Sequence, residues 1–161
     1  MPFAAMHRDK SEQPTSYCLH PATQADADFL WCVTAVTMRE YLAEVGAWDE
    51  DFQKWHFRCK FDPARWCVVV VDGSDAGGYA IDRHPQAQFL TDLYLMPEFQ
   101  GQGIGSSILG SLIAEARSAG VPLFVQVLDS NPRARRHYER HGFTYVSPLP
   151  LPHYSLLVAQ P

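Results

Sequence analysis

Leu93-Tyr94-Leu95-Met96-Pro97-Glu98-Phe99-Gln100-Gly101-Gln102-Gly103-Ile104-Gly105-Ser106 is an apolar run that stops at a proline, passes through a glycine-rich turn and opens a helix with no linker. Glycines at 101, 103 and 105 let the backbone take positive φ and remove Cβ bulk, so a ligand can approach the main chain closely. The first turn of the helix carries N–H groups with no partner inside the helix, and its dipole favours negative charge. Strand, turn and helix N-terminus together form an anion cradle, suited above all to phosphate.

Two common phosphate loops fail to fit. A Walker loop needs Gly-x-x-x-x-Gly-Lys-Ser/Thr, and the nearest frame, Gly105 to Gly110 and Ser111, lacks the lysine. A dinucleotide fingerprint needs Gly-x-Gly-x-x-Gly/Ala, but the last position is Ser106 or Ile108 in the two available frames. The pattern that does fit is Gln-x-x-Gly-x-Gly, at Gln100, Gly103 and Gly105. Downstream runs Asn131-Pro132-Arg133-Ala134-Arg135-Arg136-His137-Tyr138-Glu139-Arg140-His141-Gly142-Phe143, an asparagine followed by a helix ending Tyr-Glu-x-x-Gly-Phe. The two stretches resemble the paired motifs of GNAT-superfamily N-acetyltransferases, in that family's order and separation. The resemblance spans Gln88 to Val146.

Length and composition bound the alternatives. A chain of 161 residues is one domain with a real core. The formal charge of −5 argues against a nucleic-acid binder that works by neutralising phosphates, and it is compatible with a cationic substrate. With no apolar run long enough to span a bilayer, and no apolar signal core in residues 1–13, a cytoplasmic protein without a membrane partner is expected. Cys18, Cys32, Cys59 and Cys67 sit in apolar stretches and read as reduced core thiols.

Along the chain, residues 1–15 are polar and aperiodic, a loose arm before a single domain at 16–161. Tyr17–His20 reads as a short strand. Thr23 with Asp26 and Asp28 marks a helix start. That helix runs to about Val45 on Phe29, Val33, Val36 and Leu30, Thr37, Tyr41, and Gly46 stops it. Asp49 starts a shorter helix. Large aromatics crowd Met38–Phe61, either as a helix pair packing on a sheet or, in part, as the wall of a substrate pocket. Trp66–Val71 and Gly77–Asp82 are strands around an Asp72–Asp75 hairpin turn, and Gln88–Met96 is the strand that feeds the cradle. Ile104, Ile108, Leu112 and Ala116 form a helical stripe closed by Gly120 and Pro122. Leu123–Leu128 is a fifth strand. Asn131-Pro132 opens the last helix, and Phe143–Ser147 and His153–Val158 close the chain around a proline-rich turn.

The resemblance implies an α/β (α+β) GNAT fold, a mixed sheet of about six to seven strands with four helices, its fourth and fifth strands splayed. Acetyl-CoA would be the co-substrate. Its pantetheine arm would lie in the gap against the backbone of Leu93 and Leu95, with Gln100, Gly101, Gln102, Gly103, Ile104, Gly105 and Ser106 around the pyrophosphate. Asn131 would cap its helix or contact the pantetheine arm. Arg133, with Arg135 and Arg136, would meet the adenosine 3′-phosphate or simply be solvated. Tyr138 lies seven residues after Asn131 on the same helix face and would protonate the departing thiolate, while an N–H of Leu93 or Tyr94 would hold the oxyanion.

The general base is less determined. A lysine-like amine is only about one part in 10³ neutral at pH 7, so its proton must go somewhere. Where family members often carry glutamate or histidine, this chain has Phe89, Thr91 and Gln126. Asp92 is the carboxylate of the fourth strand, yet strict alternation puts it on the face opposite Phe89 and Thr91, as a base or a structural group. Glu44 and a water relay are the other options. Trp48, Phe89, Thr91, Gln126, Glu44 and His153 are the candidate acceptor pocket, with Tyr154 beside the last. His137 with His141, and His56 with Cys59 and Cys67, lack a full ligand set, so no metal is expected. The expected activity is direct acetyl transfer from acetyl-CoA to a primary amine, on a small molecule or a peptide. A homodimer would follow family habit. The other class of reading is a non-catalytic acyl-CoA-binding sensor, which would need no base.

Overall fold

Local signals set the ends of most elements. The computed structural model describes residues 15–149 and 152–161, so nearly all of the expected arm lies outside the described residues. After β1 (Cys18–Pro21), the Thr23 N–H donates to Asp26 Oδ2 at 2.6 Å, and a 3-10 turn leads into α1 (Ala27–Glu44). Gly46 at φ +68° ends it. Asp49 accepts from the Phe52 N–H at 2.8 Å and starts α2 (Glu50–Lys60), which carries acids in its first turn and bases in its last, as the helix dipole favours. Then follow β2 (Trp66–Val71), β3 (Ser74–His84), β4 (Ala87–Leu95), α3 (Ile104–Ser118), β5 (Leu123–Leu128), α4 (Pro132–Arg140), β6 (Thr144–Pro148) and β7 (Tyr154–Ala159). The β2–β3 turn is tighter than expected: Asp72 and Gly73 alone take positive φ, and Ser74 and Asp75 already pair.

The strands form one seven-stranded sheet in the order β1-β2-β3-β4-β5-β7-β6. Every pairing is antiparallel except β4 with β5. This is the expected mixed sheet with four helices. On one face α3 buries Ile104, Ile108, Leu109, Leu112 and Ile113 against Val69, Ile81 and Leu90. Each such side chain contributes about 1.5–3 kcal/mol relative to exposure. On the other face Leu30 of α1 packs on Trp66, Val68 and Ala80.

Some sequence expectations need correction. Val36 belongs to an apolar repeat but is exposed, because the buried stripe of α1 runs through Trp31, Ala35, Met38 and Leu42 instead. The cysteines are not core thiols: Cys18, Cys32 and Cys59 are exposed and Cys67 half-buried. Their stretches are apolar, but Cys18, Cys32 and Cys59 fall on the solvent side of the period, while Cys67 packs at the edge of the core.

The third correction decides the site. The β3–β4 register shifts at one point: Ala80 pairs with Asp92 and Ile81 with Leu90, leaving Thr91 as an extra residue. This β-bulge resets the alternation. Leu90 and Leu93 both pack on the α3 face, while Tyr94 packs on the α1 face. Asp92 therefore does not lie opposite Thr91. The Thr91 hydroxyl donates to Asp92 Oδ2 at 2.8 Å, and both line the same cleft.

β3 and β4 come unusually close just beyond the bulge. A Cβ on Gly77 would overlap the Tyr94 carbonyl oxygen and sit 2.8 Å from Leu95 Cα, so backbone would have to move. Gly77→Ala is expected to lower unfolding free energy by about 3 kcal/mol, read from urea denaturation. A loss within experimental error would show that the strands yield freely there.

Candidate active site

β4 and β5 pair over three residues only, Gln88–Leu90 against Leu123–Val125. Beyond Leu90 the bulge turns β4 away, and the two strands separate. The gap opens into a cleft of about 1680 Å³, bounded by α1, α2, the glycine turn, α4 and the start of β7. A single drug-sized ligand occupies about 300–1,000 Å³, so this volume accommodates two partners end to end.

The anion end is built from backbone. Gly101 and Gly103 take φ of +75° and +81°. Among the described residues, no main-chain carbonyl accepts from the N–H groups of residues 101–106. A Cβ on Gly101 would meet nothing within 4 Å, and one on Gly105 would point toward His137 Nε2 at 3.9 Å and Leu95 Cδ1 at 4.0 Å. Free donors, open space and a helix N-terminus fit a diphosphate.

The side chains around the turn brace it. Gln100 Nε2 donates to the Leu95 carbonyl at 2.8 Å, and its Oε1 accepts from Arg133 at 3.0 Å. The loop is thereby tied to β4 behind it and to α4 across the gap. Asn131 caps α4, its Oδ1 accepting from the Ala134 N–H at 3.0 Å, while the residue also lines the cleft. Gln102 turns away to Thr15 and the Glu98 carbonyl, and the Ile104 side chain is buried in the core, so only their main chain serves the cradle. Arg135 pairs with Glu139 and lies over the Tyr145 ring; of the three arginines, only Arg133 lines the cleft.

The centre of the cleft gathers Asp92, Tyr94, Tyr138 and Tyr154. Burial pushes the Asp92 carboxyl above its ordinary range, opposed by hydrogen bonds from Thr91 and Tyr94 and by the Arg65 charge. All three phenols are held above their usual value by burial first and by the Asp92 charge next, so they are protonated at neutral pH. Tyr138 is buried, edge-on to Phe143 at 5.5 Å, which fixes its ring.

Leu93, Leu95, Ser106, Trp48, Thr91, Gln126 and His153 also line the cleft. Two of the residues expected in the acceptor pocket do not. Phe89 stands exposed before the bulge, stacked on Phe124 at 5.1 Å. Glu44 is exposed in the last turn of α1, and Glu40, one turn earlier, lines the cleft. Sequence reasoning also missed His137 as part of the cradle wall. Its ring faces Gly105 and lies 4.7 Å from that of His141, and burial, then His141 and the nearby arginines, pushes its pKa down to about 4. The signal was available: His137 precedes Tyr138 on a helix whose N-terminus borders the cradle. Among the described residues, no three His, Cys, Asp or Glu side chains cluster as a metal centre would require, and no helix is long and apolar enough to cross a membrane.

The sequence profile of the acetyltransferase (GNAT) family matches residues 30–143. The chain belongs to that family, whose chemistry is acyl transfer from a coenzyme A thioester. Solved structures share the fold. The PaiA N-acetyltransferase of Thermoplasma acidophilum, in complex with coenzyme A, superposes with a TM-score of 0.73 at 16% identity, over 91% of this chain and 100% of that one. An acetyltransferase of Thermus thermophilus gives 0.70 at 22% identity, over 93% and 100%. Ard1 of Thermoplasma volcanium gives 0.67 at 15%, over 89% and 97%.

The open space in the cradle can be filled without straining it. Gly105 has an ordinary helical φ, so Gly105→Val keeps the fold but occupies the space beside His137. Coenzyme A affinity should fall at least about tenfold by calorimetry, with the thermal midpoint nearly unchanged. Undiminished affinity would place the diphosphate elsewhere.

Proposed function

We propose that this chain transfers the acetyl group of acetyl-CoA to a primary amine by direct attack in a ternary complex. The observation that carries the reading is the bulge at Thr91, which brings a half-buried carboxylate to the cleft floor beside a protonated tyrosine where β4 and β5 part. A binding-only sensor would have no use for that pairing.

The roles follow from position. The N–H groups of residues 101–106 and Arg133 hold the diphosphate and its neighbouring phosphate. Backbone groups of Leu93 and Leu95, released from β5, pair with the pantetheine amides as a neighbouring strand would, and Asn131 flanks the arm while capping α4. Asp92 accepts the proton of the incoming ammonium, freeing the nitrogen lone pair. A C–N bond then forms at the thioester carbonyl, and the N–H of Leu93 or Tyr94 stabilises the oxyanion. As the C–S bond breaks, Tyr138 gives its proton to the thiolate, the attacking nitrogen sheds its second proton to solvent, and the phenol is reprotonated from solvent, leaving the neutral amide and free thiol. No cysteine among the described residues lines the cleft, which supports direct transfer over an acyl-enzyme route.

Tyr138→Phe is expected to lower kcat by about 10²-fold or more, with KM for acetyl-CoA nearly unchanged in a free-thiol assay. Wild-type turnover in that variant would remove Tyr138 from the chemistry. The base must be ionised, and burial raises the Asp92 pKa. The rate should therefore fall as pH drops through a value above the ordinary carboxylate range, and Asp92→Asn should abolish that acid limb together with most of the activity. An unaltered limb in Asp92→Asn would assign it to another group.

A further inference from the structure

The acceptor end of the cleft differs sharply from the coenzyme end. Its walls are aromatic. Tyr41, Trp48, Tyr94 and Tyr154 pack around Met38, Leu42 and Leu128. Trp48 stacks on Trp31 with centroids 6.3 Å apart and planes 10° from parallel. Trp48, the phenols and Phe57 retain surface that faces the cleft.

Charge at this end is sparse and specific. Among the described residues, Asp92 and Glu40 are the carboxylates lining the cleft, and Glu40 is exposed at its edge. Arg65 is the nearest cation to Asp92 but is already committed. It pairs with Asp82 at 2.5 Å and donates to Thr91 at 3.3 Å. Two carboxylates thus share one guanidinium, leaving one negative charge unbalanced at the floor. Lys60 also lines the cleft, exposed at the end of α2 and away from Asp92 in sequence and in charge contact.

We propose that the acceptor is a primary amine on a flat aromatic body with no carboxylate beside the amino group, an arylalkylamine; this rests on the acetyl-transfer reading above. An ammonium entering this chamber meets Asp92 and the phenols, which attract a cation, while Trp48, whose ring already lies under the Arg39 guanidinium at 5.3 Å, supplies apolar wall. An aromatic body stacks on the same walls. A carboxylate next to the amine would be brought beside Asp92, where the nearest cation, Arg65, is already paired with Asp82. A polyamine would leave its further charges against apolar rings, with Glu40 alone to answer them.

The test uses the whole chain with acetyl-CoA and 2-phenylethylamine, phenylalanine or spermidine, following released thiol. The expected kcat/KM for 2-phenylethylamine exceeds both others by at least about tenfold. Trp48→Ala should raise KM for 2-phenylethylamine by about tenfold while KM for acetyl-CoA holds. Trp48→Leu, which keeps apolar volume, should show an intermediate rise. Preference for phenylalanine or spermidine, or a KM for 2-phenylethylamine indifferent to both substitutions, overturns this inference alone. Failure of every amine while calorimetry shows acetyl-CoA bound overturns the acetyl-transfer reading and this inference with it.

Discussion

Gln88, Phe89 and Leu90 hold Leu123, Phe124 and Val125, and after them two parallel strands run on without touching. Unpaired strand backbone inside a fold is costly, since each buried amide left without a partner loses about 1–3 kcal/mol. The gap persists because both strands are secured on their outer sides. β4 pairs with β3 through Leu95, and β5 pairs with β7 along its whole length. The bulge at Thr91 begins where the β4–β5 pairing ends, so one inserted residue turns the strand away from its neighbour and presents its carboxylate.

That geometry sets a balance of charge at the centre. Burial alone would neutralise Asp92, and a neutral acid accepts no proton. Thr91, Tyr94 and Arg65 oppose this by stabilising the anion, and Asp82 keeps the arginine from overcompensating. Burial first, and the same anion's charge next, hold the surrounding phenols protonated. In the proposed reaction the carboxylate and the Tyr138 phenol would carry opposite roles within one small space, the carboxylate's charge adding to the burial that keeps the phenol protonated.

The coenzyme half was legible in the sequence because its chemistry is written in residue types with strong local preferences. Gly101 and Gly103 adopt the positive φ that glycine accepts most readily, Asn131 caps, and Gly120 and Gly142 close helices. The acceptor half was not, because it depends on register. Nothing in the string Phe89-Leu90-Thr91-Asp92 announces a bulge, and strict alternation sends Asp92 to the wrong face. Phe89 falls outside the cleft because it stands where β4 still pairs with β5, its ring stacked on Phe124. The insertion of β7 between β5 and β6 was equally invisible, since strand order is decided by distant pairing. Glu44 and the exposed cysteines misled for a simpler reason: neighbours in sequence say little about which side of a helix or strand meets the core.

The two ends of the cleft are made of different material. One is main chain, and main chain survives the exchange of most side chains. The other is tryptophan, tyrosine and phenylalanine held on α1, α2, the turn between them, β4 and β7, where a single replacement reshapes the wall. Inheritance acts on these unequally. Drift along the helix pair can hand the enzyme a new acceptor while leaving its donor untouched, so descendants of this chain would diverge in what they modify long before they diverge in what they modify it with.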